Sequence, residues 1–332
     1  MNLRDDSHAE ARTREPGFLR ALIGDGRPLI VLTALALAGA GGFALFLSAS
    51  GAFLPHDVAF LGMAPEVLCG INECRIVHFM IHDRFAFGGV LISIATLYAW
   101  IALFPLRHQE RWSWDLLLLT GIVGFGSFLA YLGYGYLDTW HGWATLLLLP
   151  VFVAGMILTK PPAHAPSSAL LKPTSASWEC RWSRTKIGWW CLVLTGVGMV
   201  AAGTTILAVG MTVVFVPEDV RYIGLTSRQL NEINPKLIPL IAHDRAGFGG
   251  GLFTTGLLVT GIAWKASPTR HVWEALALAG GCGFGCAIGV HYPIGYVDWF
   301  HLAPAWAGLL LFVVGMGLVR PQYFEGPRSI VC

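Results

Sequence analysis

The feature that most constrains this chain is a run of apolar stretches, each long enough to cross a lipid bilayer. A spanning helix needs about 20 mainly apolar residues, because hydrocarbon offers no partner to an exposed backbone N–H or C=O. Eight segments qualify: 29–50, 78–104, 114–134, 141–159, 187–216, 240–264, 272–292 and 301–319. Composition agrees, with 55% hydrophobic and 13% charged residues, where a soluble globular chain carries about 25% charged. A disordered chain and a soluble two-domain enzyme are therefore excluded. The net charge of +2 leaves no basic surplus for a nucleic-acid footprint. The first stretch follows a polar, mixed-charge tail and lacks a small-residue cleavage site, so it reads as a true span and not a signal peptide.

Basic residues set the orientation. The N-terminal tail, the 105–113 loop, the 160–186 linker, the 265–271 loop and the C-terminal tail together hold sixteen Lys and Arg. The opposite loops hold only Arg75, Arg221, Arg228 and Lys236. The expectation is a multi-pass protein of the cytoplasmic (inner) membrane, with both termini cytoplasmic and its two long loops outside.

The chain is also duplicated. IHDRFAFGGVL at 81–91 returns as AHDRAGFGGGL at 242–252, DVAFLGM at 57–63 as DVRYIGL at 219–225, and GYLDTWH at 135–141 as GYVDWFH at 295–301. The constant offset of 160 to 162 residues predicts an all-α polytopic membrane protein of eight transmembrane helices in two parallel four-helix-bundle repeats. The expected layout is a cytoplasmic tail (1–28), a first repeat (29–159), a Pro/Ser/Ala-rich linker (160–186), a second repeat (187–320) and a tail (321–332).

The halves share His82 with His243, Asp83 with Asp244, Arg84 with Arg245, Gly88-Gly89 with Gly249-Gly250, Tyr136 with Tyr296, Asp138 with Asp298, and His141 with His301. At 1.5 Å of rise per residue, His82 lies ~6–8 Å into its span, at a depth similar to His141. His243 and His301 repeat the arrangement. Four-helix bundles build cofactor sites from side chains on facing helices, and neutral imidazole ligates iron, copper and zinc. His82, His141, His243 and His301 are thus candidate metal ligands, paired within each repeat. The glycine pairs leave room for a flat ring or a neighbouring helix, and Arg84 and Arg245 could meet propionates. A purely structural alternative stays open, in which an Arg84–Asp138 bond with His82 pins two helices together. Asp83 and Arg84 are about 100° apart on a helix, so at least one of them serves packing or an interface.

His78, Asp83 and Asp138 are the candidate catalytic groups. His78 lies one turn before His82, and histidine is the side chain suited to shuttle protons at physiological pH, which marks the first repeat as the reactive one. His291 corresponds to Tyr131 and reads as a satisfied core residue. Gly281, Gly285 and Gly289 form a small-residue ridge for helix packing. Cys69 and Cys74 share an outward loop that permits a disulfide. Walker, dinucleotide and HExxH motifs are absent from the sequence.

With these positions in place, the layout resembles the haem A synthase family. That family is built from two parallel four-helix repeats with histidines on the second, fourth, sixth and eighth spans and a cysteine pair in the first outer loop. The match falls on His82, His141, His243, His301, Cys69 and Cys74. It implies haem b, one or two per chain, held in the second repeat by His243 and His301, with a haem substrate between His82 and His141. The family's glutamate before the first histidine is missing, because that stretch reads His78-Phe79-Met80-Ile81. The expectation is a haem-binding redox protein of the bilayer, working with a quinone or redox protein and able to self-associate. A proton-coupled transporter using the intramembrane Asp, Arg and His residues, or a non-catalytic membrane subunit, are the alternatives.

Overall fold

The computed structural model describes residues 23–129, 136, 139–162 and 183–325, the side chains of 128, 129, 140, 141 and 325 apart. The described residues are helical and contain no strand. In chain order the helices are α1 (Arg27–Ser50), α2 (Pro55–Leu61), α3 (Pro65–Cys69), α4 (Arg75–Leu103), α5 (Arg111–Leu129), α6 (Thr139–Leu158), α7 (Arg184–Met211), α8 (Pro217–Ile223), α9 (Ser227–Ile233), α10 (Leu237–Lys265), α11 (Arg270–Gly289) and α12 (Trp299–Glu325). Among the described residues, six helices (α1, α4, α7, α10, α11 and α12) are long and apolar enough to cross a membrane. The stretches expected at 114–134 and 141–159 appear as α5 and α6, which border residues outside the description.

Burial separates the helices into centre and rim. The apolar windows of α4 and α10 are 67% buried, against 22–28% for α1, α7, α11 and α12. The two central helices pack on each other. Around them α1 lies on α4 and α6, α7 on α10 and α12, α5 on α10 and α6, and α11 on α4 and α12. The hairpin α5–α6 of the first half therefore leans on the central helix of the second half, and α11–α12 leans on α4. The two halves interlock through these contacts.

Glycines permit the closest approaches. A Cβ on Gly88 would meet the Gly41 carbonyl of α1 at 2.9 Å, and one on Gly249 would meet the Gly203 carbonyl of α7 at 3.0 Å. Gly89 faces Cys286 of α11, and Gly250 faces Ser127 of α5. Of the two occupants considered for these glycine pairs, a flat ring or a helix, neighbouring helices fill the space. The ridge of Gly281, Gly285 and Gly289 behaves oppositely to expectation. A Cβ there meets nothing within 4 Å, and the three glycines line an open apolar groove with Phe284, Trp306 and Phe312.

The short helices α2 and α8 share one local code. Each opens with proline at its first turn, where a missing N–H costs nothing, and each closes on a glycine with positive φ, Gly62 or Gly224. Asp57 and Asp219 sit at the third helical position and accept the backbone N–H of Leu54 (3.3 Å) and Val216 (2.8 Å). Cys69 and Cys74 are disulfide-bonded across the α3–α4 turn.

Candidate metal centre

The paired His-Asp-Arg sequences meet at the crossing of α4 and α10. Arg84 donates from Nε to Asp244 and from Nη1 to Asp57, each at 2.8 Å. Arg245 returns the pattern. Its Nε donates to Asp83 at 3.2 Å, and its Nη1 lies 2.7 Å from Asp219. Each arginine thus binds one carboxylate of its own half and one of the other. The phenols of Tyr136 and Tyr296 donate to the remaining oxygens of Asp57 and Asp219. Beside this network, Asn72 donates to the Ile223 carbonyl and Asn234 to the Leu61 carbonyl, both at 2.8 Å. Two carboxylates flank each guanidinium, and both guanidiniums are already engaged, which leaves the expected propionate role to bonds within the chain. The expectation that Asp83 or Arg84 serves an interface holds for both.

The chain beyond α7 contributes to this network. The apolar stretch expected to run to 216 is helical only to Met211. Val214 then adopts a positive φ of 64°, and its carbonyl accepts Arg245 Nη1 at 2.8 Å. Apolarity alone hides this break, because the residues that follow Met211 are as hydrophobic as those before it.

Against the network stand three imidazoles from three elements. His82 lies on α4, seven residues past Arg75, His291 in the turn after α11, and His301 near the start of α12. The ring centres are 4.4 Å apart for His82–His291, 5.5 Å for His82–His301 and 5.1 Å for His291–His301. One ligand atom from each lies within 4.8 Å of the others. His82 and His291 are 4% exposed. His82 Nδ1 and both ring nitrogens of His291 are buried without a hydrogen-bond partner among the described residues. The Asp83 carboxylate lies 3.1 Å from His82 Nδ1, close enough for charge attraction but outside hydrogen-bond geometry. Tyr296 stacks on His301 at 4.4 Å, with its hydroxyl 3.2 Å from Nδ1. Burial holds the Tyr296 phenol well above its usual pKa, and the Asp219 carboxylate pushes it further, so the hydroxyl keeps its proton.

These positions rearrange the expected site. His301, expected beside His243, meets His82 and His291 across the two halves. His243 stands edge-on to Tyr136 at 5.0 Å, the counterpart of His82 against Tyr296 at 5.6 Å. Asp138 and the side chain of His141 lie outside the described residues. His78 lines an open cavity with Glu73, Arg75, Arg221 and Tyr222, and Tyr222 stacks on Tyr296 at 4.4 Å. His291, read as a satisfied core residue, has both ring nitrogens buried without a hydrogen-bond partner among the described residues. Sequence reasoning also passed over Asp57 and Asp219, Asn72 and Asn234. Their signal was present, since Asp-Val at 57–58 and Ile-Asn at 71–72 both recur 162 residues later.

No protein-family model, curated protein or solved structure matches the chain.

Proposed function

We propose that this chain is a polytopic helical protein of the inner membrane that holds a transition-metal centre near its outer face and uses it for redox chemistry. In this reading its eight long helices all span the bilayer as two interlocked, parallel four-helix repeats, with both termini cytoplasmic. The observation that carries the metal centre is the convergence of buried His82 and His291 with half-buried His301, where His82 Nδ1 and both ring nitrogens of His291 have no hydrogen-bond partner among the described residues. An unpaired buried polar nitrogen is costly, and a bound metal removes that cost. Imidazole is a ligand for iron, copper and zinc, and haem b, which the resemblance to the haem A synthase family implies, is the form of this reading that a Soret band would reveal.

The chain's own residues supply the support such a centre needs. Asp83 would hold His82 by charge attraction across 3.1 Å, and Tyr296 would orient His301 through its hydroxyl, as the hydrogen-bonded partners of metal-bound histidines generally do. A bound iron or copper would supply electron transfer. The surrounding Phe79, Met80 and Tyr296, all buried, would keep water away. The carboxylates Asp57, Asp83, Asp219 and Asp244 are each held by an arginine, which suits a rigid frame better than a proton relay of a transporter.

The test is a visible spectrum together with elemental analysis of protein purified in detergent. A Soret band, or near-stoichiometric iron or copper without one, is the expected outcome. Protein free of both haem and transition metal, isolated without chelators, would overturn the reading.

A further inference from the structure

Resting on that reading, we infer that the centre is a single non-haem divalent ion of the first transition row, held by His82, His291 and His301. Three observations lead there. The first is the closeness of the donors. Imidazole nitrogens around one ion stand about 2.0–2.1 Å from it, hence roughly 3.4 Å from one another in a tetrahedral arrangement. The three donors already lie within 4.8 Å of one another, so side-chain adjustments of about an ångström complete the set. A porphyrin between His82 and His301 would need the space that His291 and Tyr296 occupy, since both touch both imidazoles. A third imidazole in that place is the signature of an ion and an obstacle to a macrocycle.

The second observation is charge. The network beside the triad sets four buried carboxylates, Asp57, Asp83, Asp219 and Asp244, against two guanidiniums, Arg84 and Arg245. The imidazole of His56 faces Asp57 at 3.4 Å, and that of His82 faces Asp83. Buried charge must be compensated, and a dication on the triad lies one imidazole away from Asp83. The third is the count of ligands. Three protein ligands leave a position open for a small molecule, the pattern of catalytic and not of structural metal sites. Tyr222, stacked on Tyr296, also lines the cavity that holds His78.

Cobalt(II) is the probe. Detergent-solubilised protein, stripped with chelator and titrated with cobalt(II), should bind one ion per chain, give visible ligand-field bands and release the ion to zinc. His82→Ala should weaken binding roughly 100-fold or more, as loss of a ligand exceeds the 10–100-fold cost of losing a group that orients one. His243→Ala should leave binding within about twofold, since that imidazole lies outside the triad. X-ray absorption on the wild-type cobalt protein gives an answer that needs no variant, with scattering from three imidazoles expected. Cobalt binding indifferent to His82→Ala, or scattering from fewer than two imidazoles, overturns the inference. A Soret band lost in His82→Ala overturns it while leaving the metal-centre reading intact. Protein that carries neither haem nor metal, and takes up no cobalt, removes both.

Discussion

Around Tyr296 and around Tyr136 the same bonds are made, yet the sequence differs between the halves at one nearby position, His291 against Tyr131. In both places a phenol donates to the aspartate that begins a Pro-x-Asp helix, and that aspartate holds the arginine of its own half, which in turn reaches across to an aspartate of the neighbouring half. Beside Tyr296 stand His82, His291 and His301. Beside Tyr136 stands His243, and the position that corresponds to His291 is Tyr131 in sequence. The difference teaches that the residues common to both halves chiefly build the joint. One residue present in only one half, His291, adds a third imidazole beside His82 and His301. The disulfide is a second asymmetry. It closes the α3–α4 turn, while the longer α9 is instead started by Thr226 and Gln229 capping each other.

The largest way to break the comparison is to remove a shared charge. Arg84→Leu should strand Asp57 and Asp244 and cost about 3–5 kcal/mol, and Arg245→Leu should do the same to Asp83 and Asp219. Thermal unfolding in detergent checks this, and a marked inequality between the two would show that the joint is not reciprocal. Next come the helix contacts. Gly41→Leu and Gly203→Leu should each cost about 1–3 kcal/mol by overpacking, because a Cβ at either meets the facing glycine carbonyl at 2.7 Å.

Loss of the disulfide should follow at about 2 kcal/mol on the chain-entropy account of a short loop. It is read as a lower melting temperature of Cys69→Ser/Cys74→Ser or of reduced protein. No matching change is expected on treating the second half's turn with reductant, as it holds no such pair. The smallest effect sharpens the contrast between α5 and α11. Gly121→Ala should destabilise, since its Cβ would push into the Phe152 ring, while Gly281→Ala meets open space. The latter should be neutral or stabilise by about 0.5–1 kcal/mol through helix propensity. Equal destabilisation in the two variants would place a packing partner against the Gly281 ridge.

Much of the helical layout was legible because lipid-compatible stretches announce themselves by length and apolarity. Helix ends were less so. Val214, as apolar as its neighbours, gives no warning that the chain turns there to offer its carbonyl to Arg245. The shared motifs correctly singled out Asp83, Arg84, Asp244 and Arg245 as special, and the adjacency of Asp and Arg correctly pointed to an interface. Which helices meet could not be read, because a side chain's angular position on its own helix does not name the neighbour it faces. That is why His301 was expected beside His243 and is found beside His82. His291 was discounted because it recurs nowhere, whereas its surroundings, visible only in three dimensions, offer both its nitrogens no hydrogen bond among the described residues.

The most direct test of the site's asymmetry is metal content per chain in wild-type protein and in His291→Tyr, which places in the second half the residue type that the first half carries at 131. Both are compared by elemental analysis after identical purification, with thermal unfolding confirming that the variant is folded. One ion per wild-type chain and none in folded His291→Tyr is the expected result. Equal metal in the two proteins would contradict the assignment of His291 as the residue that makes the site.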